Sequence, residues 1–126
     1  MGLGVSMQTV DVNEARKIVH EKESVVIDAL GPESFRRQHL PGALNIPSDD
    51  ADLDGKIRDK VPSKDTRVLV YCSDPECQAS PKVYRRLKEL GYSDVHEFSG
   101  GLKAWAEAGL DFEGEGKKRI EADVER

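Results

Sequence analysis

Apolar positions along the chain fall into two kinds of run. Short continuous runs rich in β-branched residues alternate with longer stretches in which apolar residues recur every three or four positions. Ser24-Val25-Val26-Ile27-Asp28-Ala29 and Arg67-Val68-Leu69-Val70-Tyr71 are of the first kind. Runs of this length without alternation suit strands buried on both faces, as in a parallel sheet. Ala43 to Ile46, Val95 to Phe98 and the shorter Gln8 to Val10 complete five predicted strands. Between them lie helical patterns. Asp11 or Asn13 can cap a helix reaching about Glu21, with Ala15, Ile18 and Val19 at helical spacing. Pro32 suits the first turn of a helix through about Gln38. Ser48 to Lys60 reads as a polar, weakly periodic helix, with Gly55 a candidate break. Ser80-Pro81 reads as the cap and first residue of a helix carrying Val83, Tyr84, Leu87 and Leu90 on one face, stopped by Gly91. A last helix runs from Leu102 to about Ala108, ended by Gly109. Strands separated by helices are βαβ units. They predict an α/β fold with a mostly parallel central sheet of about five strands and helices on both faces. The expected organisation is a leader over 1–8, one domain over 9–113 and a charged, mobile tail over 114–126, too poor in apolar groups to pack.

Composition narrows the function classes. The 126 residues amount to one domain, large enough to bury a core without staples. Apolar residues make up 37% and charged residues 34%, with a formal net charge of −5. That balance argues against a nucleic acid partner, which calls for excess Lys and Arg, and against an anionic membrane surface. No run approaches the roughly 20 apolar residues of a spanning helix. Met1 to Val10 lacks the basic and apolar regions of a signal peptide, so a cytoplasmic setting is expected. Two cysteines are too few for a disulfide framework, and in a reducing compartment such a pair points to catalysis or metal binding. His20, His39 and His96 show no ligand spacing with them, so neither a metal nor another cofactor is expected. Oligomeric state stays open.

The candidate chemistry lies after the clearest strand. In open α/β sheets ligands bind beyond the carboxyl ends of the strands. Tyr71 is followed at once by Cys72-Ser73-Asp74-Pro75-Glu76-Cys77-Gln78-Ala79 and then by a helix. A loop curled before a helix N-terminus is expected to point several backbone N–H groups inward, favouring an anion. Such surroundings lower a thiol pKa below its free value of about 8.5. Cys72 is the candidate nucleophile; the bland alternative is a small buried hydrophobe. Cys77 has three readings: loop packing, a resolving thiol, or half of a disulfide with Cys72. The last requires Cα atoms within about 4.4–6.8 Å.

Four segments then resemble the rhodanese superfamily, over about Thr9 to Glu113. Val25-Val26-Ile27-Asp28 is similar to the family's first core strand, ending in Asp. Phe35 and His39-Leu40-Pro41-Gly42-Ala43-Leu44-Asn45-Ile46-Pro47 resemble its signature. Val68-Leu69-Val70-Tyr71-Cys72 resembles the strand entering the active-site cysteine. Leu90-Gly91-Tyr92, Gly100-Gly101 and Trp105 resemble the closing segments. The resemblance implies sulfur transfer. Cys72 would attack a small sulfur donor such as thiosulfate, or a protein persulfide, and pass the sulfur to a thiol acceptor. The loop residues Ser73, Asp74, Pro75, Glu76, Gln78 and Ala79 would surround it. Asp28 is expected to hold nearby loops by hydrogen bonds and His39 to hold the turn before Pro41.

The loop departs from the family pattern. Pro75 stands where a glycine is usual, Cys77 where an arginine is, and Leu30 follows Asp28 in place of an arginine. Asp74 and Glu76 bring negative charge. Each like charge at about 4–6 Å opposes a thiolate or dianionic thiosulfate by on the order of 1 kcal/mol. A less anionic donor or a protein persulfide is therefore expected to suit the site better. Gln78 occupies the place of the arginine in the related Cys-x5-Arg phosphatases, which removes the bidentate phosphate clamp. Two alternatives to sulfur transfer remain: a Cys72/Cys77 thiol–disulfide switch, and a non-catalytic binding module of the same fold.

Overall fold

Four short strands run side by side, all parallel, in the order β2-β1-β3-β4. They are β1 (Val25–Asp28), β2 (Leu44–Asn45), β3 (Arg67–Tyr71) and β4 (Asp94–Phe98). A computed structural model describes residues 7–116. Of the expected leader, residues 1–6, and of the expected tail, residues 117–126, lie outside the described residues. Five helices connect and flank the strands: α1 (Val12–Val19), α2 (Pro32–Arg37), α3 (Leu53–Lys60), α4 (Ala79–Glu89) and α5 (Gly101–Glu107).

The α/β architecture matches the expectation, with four strands rather than five. Gln8 to Val10 does approach β4, but makes only one bridge, Thr9 to Glu97. Its ladder stops at Glu97 N–H to the Gln8 carbonyl and Val10 N–H to the Glu97 carbonyl. Asp11 cuts it short, because its carboxylate caps α1 by accepting the Glu14 N–H at 2.9 Å.

The sheet is covered on both faces, and strand parity decides which residue faces which layer. Val68 and Val70 of β3 join Ile57 and Val61 at the end of α3, and Val83, Tyr84 and Leu87 of α4. Leu69 and Tyr71 point the other way, to Ala15 and Ile18 of α1 and Trp105 of α5. All of these are buried. Each fully buried Val, Leu or Ile contributes about 1.5–3 kcal/mol of transfer free energy. Burial on both faces explains why β3 reads as an unbroken apolar run.

The strand order places the site. From β1 the chain crosses to β2 on one side, while β3 lies on its other side and leads on to β4. The carboxyl ends of β1 and β3 are thus the switch point of the sheet, where crossovers diverge and leave a crevice. Asp28 ends β1 and Cys72 follows β3, and the Ala29 N–H joins the two ends by donating to the Tyr71 carbonyl at 3.0 Å.

Candidate active site

Cys72 leaves the sheet at this switch point and is 2% exposed. The first turn of α5 holds its backbone: Leu102 N–H donates to the Cys72 carbonyl at 3.0 Å and Lys103 N–H to the Ser73 carbonyl at 2.9 Å. Gly101 makes that approach possible. Its φ is +61°, and a Cβ there would collide with the Cys72 carbonyl. Gly101 is therefore part of how the cysteine is positioned.

The sulfur of Cys72 has three neighbours. It is bonded to the sulfur of Cys77, with Cα atoms 6.4 Å apart. The Ser80 N–H points at it from 3.3 Å, and the Ser80 hydroxyl lies 3.1 Å away. That hydroxyl donates to a Glu97 carboxylate oxygen at 2.7 Å. The Ser80-Pro81 pattern predicts Ser80 as the cap of α4. The helix instead starts at Ala79 with Gln78 as its cap, and the Ser80 side chain turns inward. Glu97 is not among the residues the sequence singles out; its one signal there is that it shares strand parity with the core residue Val95.

The loop turns three of its own amides, those of Glu76, Cys77 and Ala79, onto itself. The Cys77 N–H donates to the Asp74 carbonyl at 3.1 Å, and the Glu76 N–H to an Asp74 carboxylate oxygen at 3.0 Å. The Ala79 N–H faces the Cys77 sulfur at 3.5 Å, and Gln78 Nε2 donates to the Glu76 carbonyl at 3.4 Å. Where a ring of inward amides is expected, the Cys72 sulfur itself receives, among the described residues, the single Ser80 N–H. The reason is local: Pro75 has no N–H, and the Asp74 side chain competes for the next one.

The sequence model of the Rhodanese-like domain matches residues 11–108. This chain belongs to the rhodanese family. It is 38% identical over 77 residues to the thiosulfate sulfurtransferase PspE of Escherichia coli strain K12, covering 61% of this chain and 69% of that protein. A solved rhodanese with anions from E. coli aligns at a TM-score of 0.60 and 33% identity, over 73% of this chain and 99% of that one. The BH2092 protein from Bacillus halodurans aligns at a TM-score of 0.75 and 24% identity, over 85% and 77% of the two chains; at that identity it speaks to the fold alone. Family and relatives together support a sulfurtransferase-type function.

Within this rhodanese-like domain, Asp28 and Tyr71 form the polar joint beneath the site. Both are fully buried. The Tyr71 hydroxyl donates to one Asp28 oxygen at 2.6 Å and accepts the Leu40 N–H at 3.0 Å. The Leu30 N–H donates to the other Asp28 oxygen at 2.9 Å. Burial pushes the Asp28 carboxyl above its usual range against these donors, and burial beside Asp28 pushes the Tyr71 phenol up. Asn45 Nδ2 braces the same corner through the Asp28 and Leu30 carbonyls at 3.1 and 2.8 Å. His39 stacks on Phe35 with ring centroids 3.8 Å apart, and its Nδ1 donates to the Phe35 carbonyl at 2.7 Å. Its backbone pairs with Glu113. Among the described residues, no hydrogen bond joins Asp28 or His39 to Cys72. Tyr71 was read from sequence only as a strand residue; its polar role shows only once β1 lies beside β3.

The rhodanese loop keeps an acidic rim, with Glu76 exposed and Asp74 half-buried. Beside it opens a cleft of about 120 Å³ lined by Pro75, Gly100, Lys103, Ala104 and Glu107. That is smaller than the few hundred Å³ of a drug-sized site. A larger depression of about 710 Å³, between residues such as Glu21, Ser63 and Arg67, lies at the other end of β3 and does not include Cys72.

Proposed function

We propose that this protein is a sulfurtransferase that carries sulfane sulfur on Cys72. The supporting observation is the position of Cys72 at the switch point of a rhodanese-family sheet, with the Ser80 N–H directed at its sulfur. The disulfide must first be opened by a thiol reductant, which leaves two thiols. The Cys72 thiolate then attacks the outer sulfur of a donor. With thiosulfate, a bond forms between Cys72 and the sulfane sulfur, the sulfur–sulfur bond of the donor breaks, and sulfite leaves with the electron pair. With a persulfide donor, the thiolate of the donor leaves instead. A thiol acceptor, as thiolate, then attacks the outer sulfur of the Cys72 persulfide and restores Cys72.

The acidic rim sets a preference among donors. Asp74 and Glu76 disfavour dianionic thiosulfate, so a persulfide of lower charge, small or protein-borne, fits better. A cytoplasmic setting is part of this reading, because thiol reductants there keep Cys72 available. Among the described residues no helix is long and apolar enough to cross a membrane.

The disulfide itself favours a second reading, a redox branch of the same chemistry. The Cys77 thiol attacks the Cys72 sulfur of the persulfide, the two cysteines are oxidised to the disulfide, and the outer sulfur is reduced and leaves as hydrogen sulfide.

Intact mass spectrometry tests both. Reduced protein treated with thiosulfate, cysteine persulfide or polysulfide is expected to gain one sulfur atom, and Cys72→Ser to gain none. Absence of added sulfur with every donor overturns the sulfurtransferase reading. In Cys77→Ser the persulfide is expected to persist longer; equal lifetimes with and without Cys77 overturn the redox branch.

A further inference from the structure

Behind Cys72 stands a row of polar groups that the bond changes of persulfide transfer do not use. The Cys72 sulfur, Ser80 hydroxyl and Glu97 carboxylate follow one another at 3.1 and 2.7 Å. The three residues are 2%, 1% and 3% exposed. A carboxylate this deep ordinarily has a cationic partner. Among the described residues, none of the ion pairs includes Glu97. Its hydrogen-bonded partner is Ser80, and through Ser80 it meets the reactive sulfur.

Among the described residues, the surroundings offer no competing titratable partner in contact. Glu97 pairs with Val70 across the sheet and shares the face of Val95, toward α4. From α4 comes Tyr84, whose hydroxyl oxygen accepts the Gln8 N–H at 3.0 Å. Lys82, Arg85 and Lys88 of α4 are exposed, and Arg86 is held by Asp54 and Glu89. Among the described residues, the segment beside β4 brings Gln8, Thr9 and Val10, none of them titratable. The loop brings Cys77, Asp74, which is bonded within the loop, and the exposed Glu76. His96 faces the opposite layer and is bound to Asp94 at 2.7 Å.

Counting protons shows what the row can do. With the disulfide open it holds two. In one arrangement Cys72 S–H donates to the Ser80 oxygen, and Ser80 O–H donates to the Glu97 carboxylate. In the other, both protons have moved one place. Ser80 O–H donates to the Cys72 thiolate, and a neutral Glu97 donates to Ser80. Each arrangement makes both hydrogen bonds and carries one negative charge. No bond between heavy atoms changes; the sulfur loses a proton and Glu97 gains one. Ionising both ends instead would bury two like charges with one proton between them, which is costly.

We propose that Glu97, acting through Ser80, accepts the proton of Cys72 and so produces the attacking thiolate inside the site. The role serves the sulfur chemistry proposed above, but its test needs no sulfur donor. In a reduced Cys77→Ser background, Cys72 is the sole thiol, and its rate of alkylation by iodoacetamide is followed against pH. Two groups sharing one proton titrate in two steps, so two inflections are expected. Glu97→Gln and Ser80→Ala are each expected to leave one, while Ser80→Thr, which keeps a hydroxyl, retains two. Urea unfolding confirms that each variant is folded, and Ser80→Ala keeps the test decisive should Glu97→Gln misfold. A single inflection in the Cys77→Ser parent overturns the relay, and so do two inflections in folded Ser80→Ala.

Sulfur loading of the same samples separates this idea from the reading it serves. Loading near neutral pH is expected to slow about 100-fold in Glu97→Gln, the usual scale of a lost proton acceptor. Loading accompanied by a one-step profile in the parent overturns the relay alone. Failure to load with every donor overturns sulfur transfer, and the alkylation profile still judges the relay.

Discussion

Replacing Tyr71 by phenylalanine deletes one oxygen from the joint between β1 and β3, and two partners lose it together. One Asp28 oxygen loses its 2.6 Å donor, and the buried Leu40 N–H loses its acceptor. A hydrogen bond to a charged group contributes about 1.5–3 kcal/mol, and an orphaned buried donor costs about 1–3 kcal/mol. The expected loss is about 4 kcal/mol near neutral pH, a large share of a total stability of about 5–15 kcal/mol. The loss should also depend on pH. Burial raises the folded-state pKa of Asp28 above 3.8, so the folded protein holds that proton more tightly. Its contribution is present in full below 3.8 and is lost as pH rises through the folded value. Tyr71 opposes that rise by donating to the carboxylate; without it the folded pKa climbs further and the variant loses more stability as pH increases. Below 3.8 the missing bond is a neutral one, roughly half as strong, and the loss falls to about 2–3 kcal/mol. The assay is urea unfolding followed by the fluorescence of Trp105, the only tryptophan and a buried one. With a slope of about 1.5 kcal/mol per molar urea, the midpoint should drop by about 2–3 M near neutral pH. A loss below about 1 kcal/mol, or one equally large in acid, would refute the reasoning.

Two further predictions test how the loop is held. Gly101→Ala combines a left-handed backbone with a collision at the Cys72 carbonyl, whereas Gly42→Ala at φ +74° meets nothing within 4 Å. Urea unfolding should therefore show about 1–2 kcal/mol lost at Gly42 and distinctly more at Gly101; equal losses would show that the collision is relieved at no cost. Cys77→Ser removes a cross-link spanning a sequence separation of 5, so it should destabilise the oxidised protein by about 2 kcal/mol. The difference should vanish under reductant, and a loss that persists there would assign Cys77 a packing role instead.

Much of this molecule is legible in its sequence because much of it is local. The unbroken apolar run of β3 announces a strand buried on both faces, and the helical spacing after Pro81 announces α4. With Cys72 between them, the position of the candidate nucleophile follows from chain order alone. The carboxylate of Asp11 and the stop at Gly91 likewise act within a few residues. Other features depend on which strand lies beside which. Tyr71 meets Asp28 across 43 positions and Ser80 meets Glu97 across 17. Neither pair exists until parallel pairing sets the register and strand parity turns each side chain to its layer. The same holds for Gln8 to Val10, whose strand-like residues reach β4 for a single bridge before Asp11 diverts them into α1. The sequence by itself determined the α/β class and the place of Cys72 between β3 and α4, since both rest on periodicity and order along the chain. Only the tertiary structure decided that Cys77 closes onto Cys72, that the loop turns the Glu76, Cys77 and Ala79 amides on itself, and that a buried glutamate stands behind the sulfur. Those outcomes are set by distances between segments, which no local pattern encodes.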